Sequence, residues 1–306
     1  MARPLALLLM GPTASGKTEL ALKLAAQLGG EIISVDSSLV YCGLDIGTAK
    51  PAPEIRAKIP HHLIDILDPK EAYSAGRFVR EAKALIAEIA ARGKLPILVG
   101  GTMLYFHALL YGLAPLPEAD PKVRQAIDEE AKRRGWPALH QKLAEIDPQA
   151  AARIHPNDPQ RIQRALEVYC LTGKPLSAFW HAAPEELPFR AVKVVICPKE
   201  REVLHHRIEQ RFYAMLEQGL IEEVQGLYRR GDLSPELPAL RSVGYRQVWG
   251  YLAGEYGFAT MVTKALQATR QLAKRQLTWL KREKEALWLE AEEAPLRIAL
   301  ALRTLS

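Results

Sequence analysis

Residues Leu5–Met10 read LALLLM and run straight into Gly11–Thr18, GPTASGKT. An apolar run this short, closed by glycine, fits a strand buried on both faces. The octad that follows satisfies G-x-x-x-x-G-K-[ST] at every position, and it stands between that strand and a helical stretch, 18–28, with Leu20, Leu24 and Leu28 at spacing four. Gly11 and Gly16 let the backbone of the loop, with Pro12, Thr13, Ala14 and Ser15 between them, wrap a phosphate, which meets exposed N–H groups at a helix N-terminus. Lys17 adds a full positive charge, and Thr18 is the hydroxyl expected to hold a magnesium ion. This chemistry calls for a ligand with a pyrophosphate group; it does not say which one.

Outward from this loop, strands and helices alternate. A second apolar strand is expected at 31–35, a helix at 77–92 stopped by Gly93, and a third strand at 95–99 followed by Gly100-Gly101-Thr102 and another helix. Short, wholly apolar strands separated by helices predict a parallel sheet with helices on both faces, an α/β core of P-loop NTPase type. The pattern changes at Pro115-Leu116-Pro117. Helical stretches at 121–134, 137–145 and 159–171 follow, each with proline in its first turn. A break at Pro184 and Pro188 precedes another strand at 191–197, and everything past Arg201 reads as helical. The expected organisation is a first part of the core at 1–116, an all-helical insertion at 117–188, and core completion with a helical C-terminal part at 189–306.

Hydrophobic residues make up 48% of the 306, enough for a sizeable core, and no apolar run approaches a membrane span. Cys42, Cys170 and Cys197 lie far apart with no metal-ligand spacing, which argues against structural zinc and suits a reducing, cytoplasmic setting. The net charge of +6 permits a polyanionic partner without requiring one.

Strand 31–35 ends in Asp36-Ser37-Ser38, beside the expected position of the phosphate loop, where open α/β sheets bind ligands. Position alone leaves Asp36 open as a general base, a magnesium partner or a loop-capping residue. The strand before Gly100 ends without an acid, so the usual Walker-B aspartate is missing.

These segments together resemble tRNA dimethylallyltransferase, the bacterial enzyme that isopentenylates adenosine 37. The resemblance rests on GPTASGKT at 11–18, ISVDS at 33–37, DIGTAKP at 45–51, VGGTMLY at 99–105, RIHPNDPQRIQR at 153–164, SVGYRQ at 242–247 and TRQLAKRQLTWL at 269–280. It runs from the phosphate loop to about residue 290; the family often has glutamine where this chain has Leu39. It implies that the loop holds the pyrophosphate of dimethylallyl pyrophosphate, with magnesium near Thr18. Lys17 would stabilise the leaving group, Asp36 would take a proton from the adenine N6 amine, and Thr102 would orient the reacting nucleotide. It also implies that the tRNA anticodon stem-loop binds between the core and the insertion. The contacts it implies come from Asp36, Ser37, Ser38, Leu39, Thr102, Arg124, the run Gln160, Arg161, Ile162, Gln163 and Arg164, the run Arg241, Ser242, Val243, Gly244, Tyr245 and Arg246, and Lys274 and Lys281. The family default is a monomer.

Three alternatives share some of these features. A small-molecule kinase shares the loop but has no use for a basic helical insertion. An RNA-binding module with a decayed loop would not keep Lys17, Thr18 and Asp36. A transferase acting on free adenine nucleotides gives the insertion nothing to grip. Outside the motifs, His61-His62 reads as packing or capping, and Tyr41, Phe106 and Trp249 could line a prenyl channel or stack on a base, although most aromatics are core residues. Arg207 and Arg211, one helical turn apart, could cover a phosphate or pair with Glu202 and Glu209 on the surface.

Overall fold

The computed structural model describes residues 3–180 and 186–305, and the chain divides into two compact units, 1–110 with 187–306, and 111–186. Of the expected proline break, Pro184 lies outside the described residues.

In the larger unit the strands are β1 (Leu5–Met10), β2 (Gly30–Val35), β3 (His61–His62), β4 (Leu95–Gly100), β5 (Arg190–Ile196) and β6 (Leu287–Leu289). Its helices are α1 (Lys17–Leu28), α2 (Pro53–Lys58), α3 (Ala75–Ala91) and α4 (Met103–Tyr111). The smaller unit carries α5 (Pro121–Arg134), α6 (Trp136–Ile146), α7 (Pro148–Arg153) and α8 (Pro159–Thr172). The larger unit resumes with α9 (Arg201–Glu217), α10 (Leu220–Arg229), α11 (Tyr245–Leu252), α12 (Phe258–Leu280) and α13 (Ala294–Leu305).

All six strands pair in parallel, in the order β3-β2-β4-β1-β5-β6. β1 lies in the middle, and its side chains alternate between two cores as the period of a strand requires. Leu7 and Leu9 pack with Leu20 and Leu24 of α1 and Ile298 of α13. Ala6, Leu8 and Met10 face the other layer, with Phe78 of α3, Phe106 of α4 and Ile208 of α9. Each such leucine or phenylalanine contributes about 1.5–3 kcal/mol by burial. The α/β fold with helices on both faces follows from this double burial.

Two edge strands depart from the sequence reading. His61–His62 forms β3, with His61 Nδ1 against the Ile59 carbonyl and His62 Nε2 2.8 Å from Glu31 Oε2. Leu287–Leu289 forms β6 in a region expected to be wholly helical. Strands of two and three residues are too short to carry a period, so register with β2 and β5 defines them.

The smaller unit has its own core of Ile127, Leu139, Leu143, Ile154, Ile162 and Leu166. Aspartates cap three of its helices. Asp120 accepts the N–H groups of Lys122 and Val123, Asp147 that of Ala150, and Asp158 that of Arg161. With proline next in each case, the starts of α5 and α8 fall where the sequence reading expected them, whereas α7, only six residues long, was not among the expected helices.

Candidate active site

The phosphate loop leaves the buried end of β1 and turns through left-handed backbone at Ala14 (φ 61°) and Gly16 (φ 90°) before α1 begins at Lys17. Gly16 offers α1 no side-chain cap, so the first N–H groups of the helix face the loop, where an anion can take them. Ser15 is buried, and Thr18 is exposed at the first turn. The Lys17 amine folds back over the loop, donating to the Pro12 carbonyl at 2.6 Å and lying 3.4 Å from Ser15 Oγ.

Burial, with the Arg211 cation nearby, lowers the pKa of Lys17 to about 7, against the opposing pull of Asp36 and Cys197. Arg211 on α9 donates to the Thr48 carbonyl at 3.4 Å, and burial lowers its own pKa while Asp36 raises it. Of the two arginines left open by the sequence, Arg211 thus turns inward. Arg207 stays near the surface, 3.9 Å from Glu292. Two poorly solvated cations at one loop make a strong attractor for a multiply charged anion.

Asp36 follows directly on β2. Its Oδ1 accepts the N–H of Ser38 at 2.8 Å and of Leu39 at 3.4 Å, which fixes the carboxylate and leaves Oδ2 for another partner. Thr102, just past β4, donates its N–H to the Val35 carbonyl, and its Oγ1 accepts the Ser37 N–H at 3.0 Å. The Ser38 and Ser242 hydroxyls meet at 2.8 Å, which brings the segment 241–246 to the same edge. The structure therefore groups Lys17, Asp36, Ser37, Ser38, Leu39, Thr102 and Ser242 at the carboxyl ends of β1, β2 and β4.

Two residues missed by the sequence reading hold this edge together. Gln276 of α12 accepts the Thr13 N–H and donates to the Gly101 carbonyl, both at 2.9 Å. Glu223 of α10 accepts the N–H groups of Asp45, Ile46 and Gly47 at 3.0, 2.7 and 3.2 Å, together with the Tyr245 hydroxyl. In a helix of unknown facing, a glutamine or glutamate carries no distinguishing signal.

Tyr245 is fully buried in the core, so its side chain anchors its segment and is closed to a macromolecule. Gly244 donates its N–H to Gln247 Oε1 at 2.9 Å and opens α11. Arg241 and Arg246 are exposed, and Val243 is half-buried. Lys274 on α12 and Lys281, which caps its end, are exposed, whereas Arg270 lies 3.5 Å from Glu209. Tyr41, Phe106 and Trp249 are core residues.

In the helical unit, only part of the run 160–164 faces solvent. Gln160 is exposed, and Arg161 is 69% exposed with Asp158 at 3.5 Å. Ile162 is fully buried, which limits its expected RNA contact to backbone, and Gln163 donates to Asp128 at 2.7 Å. Arg164 donates to Glu167 and to the Pro117 carbonyl, both at 2.6 Å. Arg124 grips the same Glu167 in two-pronged fashion, at 2.8 and 3.1 Å. Glu167 is 0% exposed and also accepts the Asp120 N–H. Burial raises its pKa, but the two guanidinium groups and that N–H outweigh burial and hold it below the usual value.

Among the described residues no group of three His, Cys, Asp or Glu side chains converges as a metal site, and no helix is long and apolar enough to cross a membrane. All three cysteines are free.

The family model described as IPP transferase matches residues 39–283, and one described as isopentenyl transferase matches residues 5–61. The chain belongs to the IPP transferase family. As an IPP transferase it is a prenyl-transferring enzyme. It is 64% identical to the tRNA dimethylallyltransferase of Methylococcus capsulatus, over 94% of this chain and 92% of that one. It is 62% identical to the tRNA dimethylallyltransferase of Nitrosococcus oceani, over 95% and 93%. Among solved structures, the tRNA isopentenylpyrophosphate transferase of Bacillus halodurans matches with a TM-score of 0.70 at 38% identity, covering 99% of this chain and 95% of that one. A eukaryotic dimethylallyltransferase described as acting on tRNA matches with a TM-score of 0.82 at 28% identity, covering 98% and 79%.

Proposed function

We propose that this IPP transferase moves a dimethylallyl group from dimethylallyl pyrophosphate to N6 of adenosine 37 in tRNA. One observation carries the reading. The phosphate loop at the end of β1 and Asp36 at the end of β2 stand at one edge of the sheet, joined by hydrogen bonds through Gln276, Gly101 and Thr102, so the anion cradle and a fixed carboxylate lie side by side. A leaving group and an attacking amine need those two elements side by side.

The reaction breaks the C1–O bond of the prenyl pyrophosphate and forms a C1–N6 bond. Pyrophosphate departs with the electron pair of the broken bond. Lys17, Arg211 and the loop N–H groups stabilise its charge. Asp36 Oδ2 receives the N6 proton, since Oδ1 is already held by Ser38 and Leu39. Thr102 and Ser38, at the same strand edge, orient the base. The adenine leaves its stack to enter the crevice, at low cost in a loop that is partly single-stranded.

Magnesium fits this site as an ion held largely by the substrate. No acidic cluster is there to bind it among the described residues, and the exposed Thr18 hydroxyl beside Lys17 is the protein oxygen suited to it. When bound, it neutralises part of the pyrophosphate charge. For RNA, Arg241, Arg246, Lys274 and Lys281 of the larger unit and Gln160 and Arg161 of the helical unit are the exposed groups proposed to meet phosphates and bases. Arg124 and Arg164 reach RNA with the N–H groups that Glu167 and the Pro117 carbonyl leave open.

The test is transfer of label from dimethylallyl pyrophosphate to unmodified tRNA, run beside AMP. Label in tRNA alone, lost in Asp36→Ala while tRNA still binds, is the expected result. Label in AMP, or ATP turnover in place of prenyl transfer, rejects the proposal.

A further inference from the structure

Gln276 lies on the inward side of α12, in line with the buried Ala273 and Leu280. It is a half-buried polar residue among core positions, and both ends of its amide are engaged. The Thr13 N–H can only donate and the Gly101 carbonyl can only accept, so the orientation of the amide is fixed by chemistry. It bridges the interior of the phosphate loop to the turn that carries Thr102. The approach is close. A Cβ on Gly101 would collide with the Gln276 amide and sit 3.2 Å from the Gly11 carbonyl oxygen. Glycine at 101 thus makes room for the bridge.

The bridge continues on the other side. Thr102 accepts the Ser37 N–H, and Ser37 adjoins Asp36. One chain of hydrogen bonds therefore runs from Thr13 through Gln276, Gly101 and Thr102 to the loop of the carboxylate. We propose that Gln276 is a positioning residue. It fixes the spacing between the pyrophosphate cradle and the edge where the acceptor base is held. This rests on the transfer reading above. A glutamate at 276 would keep the acceptor for Thr13, lose the donor to Gly101, and set a negative charge beside the anion. A methionine would keep the length and lose both bonds.

The experiment compares wild type, Gln276→Met and Gln276→Glu in three measurements: amide exchange at Thr13 in the ligand-free protein, calorimetric binding of inorganic pyrophosphate, and steady-state transfer to tRNA. In the methionine variant Thr13 is expected to exchange about tenfold faster and pyrophosphate to bind about tenfold more weakly. Its kcat should fall roughly ten- to a hundredfold, with KM for tRNA within about twofold. The glutamate variant should keep Thr13 protected, yet bind pyrophosphate more weakly than the methionine variant. Wild-type exchange, affinity and kcat in the methionine variant overturn the proposal. So does a loss of protection spread evenly over β1, β4 and α12 in both variants, which assigns Gln276 to general packing. A wild type that binds pyrophosphate but prenylates no tRNA overturns the transfer reading instead, and Thr13 exchange and pyrophosphate affinity then still decide the role of Gln276.

Discussion

The Thr102 hydroxyl accepts the Ser37 backbone N–H at 3.0 Å, so the side chain expected to orient the substrate also holds the loop that carries Asp36. Thr102→Val keeps the shape and removes the acceptor. We expect it to lower kcat by roughly ten- to a hundredfold, since a small displacement of a reacting group is costly. Thr102→Ser should retain most activity. Steady-state transfer with both variants checks this, and a loss in Thr102→Ser with activity kept in Thr102→Val would place the effect in the methyl group instead.

Lys17 gives a pH signature. Burial and Arg211 lower its pKa to about 7 in the empty protein, and a bound pyrophosphate favours the charged amine. Binding then takes up a proton above pH 7, so pyrophosphate affinity in EDTA should fall as pH rises from about 7 to 9, by up to about tenfold per unit. Calorimetry at pH 8 in buffers of different ionisation heat would show the uptake; heats that do not vary with buffer would contradict it.

Glu167 is the polar keystone of the helical unit. Removing its charge in Glu167→Gln strands Arg124 and Arg164, each partly solvated, and should cost about 2 kcal/mol. Because its folded pKa lies below the ordinary 4.5, the stability it supplies is present above that value and lost as pH falls through the folded pKa. Urea unfolding followed by Trp136 and Trp180 fluorescence, at pH 7 and below 4, tests both statements. The difference between wild type and variant should shrink in acid.

Glu223 ties the loop 45–47 to Tyr245. Glu223→Gln should destabilise the larger unit by about 1–3 kcal/mol, because an amide cannot accept at both positions. Tyr245→Phe should cost about 1 kcal/mol, and the double variant less than the sum, since the two share one bond. Additive losses in urea unfolding would argue that they act apart.

Arg161 and Arg164 should separate in behaviour. Arg161 is solvent-facing, so Arg161→Ala should leave the melting temperature unchanged and reduce the slope of log K against log salt for tRNA by about 0.7–0.9. Arg164→Ala should lower stability through Glu167 and Pro117. An unchanged slope in the Arg161 variant would remove that residue from the RNA interface.

The phosphate loop, the alternation of strands and helices, and the starts of α5 and α8 were legible in the sequence, because each is a local property. LALLLM followed by GPTASGKT specifies a strand, a turn and a helix with no outside help, and aspartate followed by proline caps α5, α7 and α8 from within a few residues. It also supplied Asp36 at a strand end. Tertiary structure alone decided which polar groups face which. Arg211 turned inward, Ile162 and Tyr245 left the surface, and β3 and β6 formed only because β2 and β5 lay alongside. Gln276, Glu223 and Glu167 gained their roles from backbone N–H groups, carbonyls and guanidinium groups brought to them by folding. Periodicity can assign such a residue to a helix face, but only packing places the donor or acceptor that gives its polar group a function.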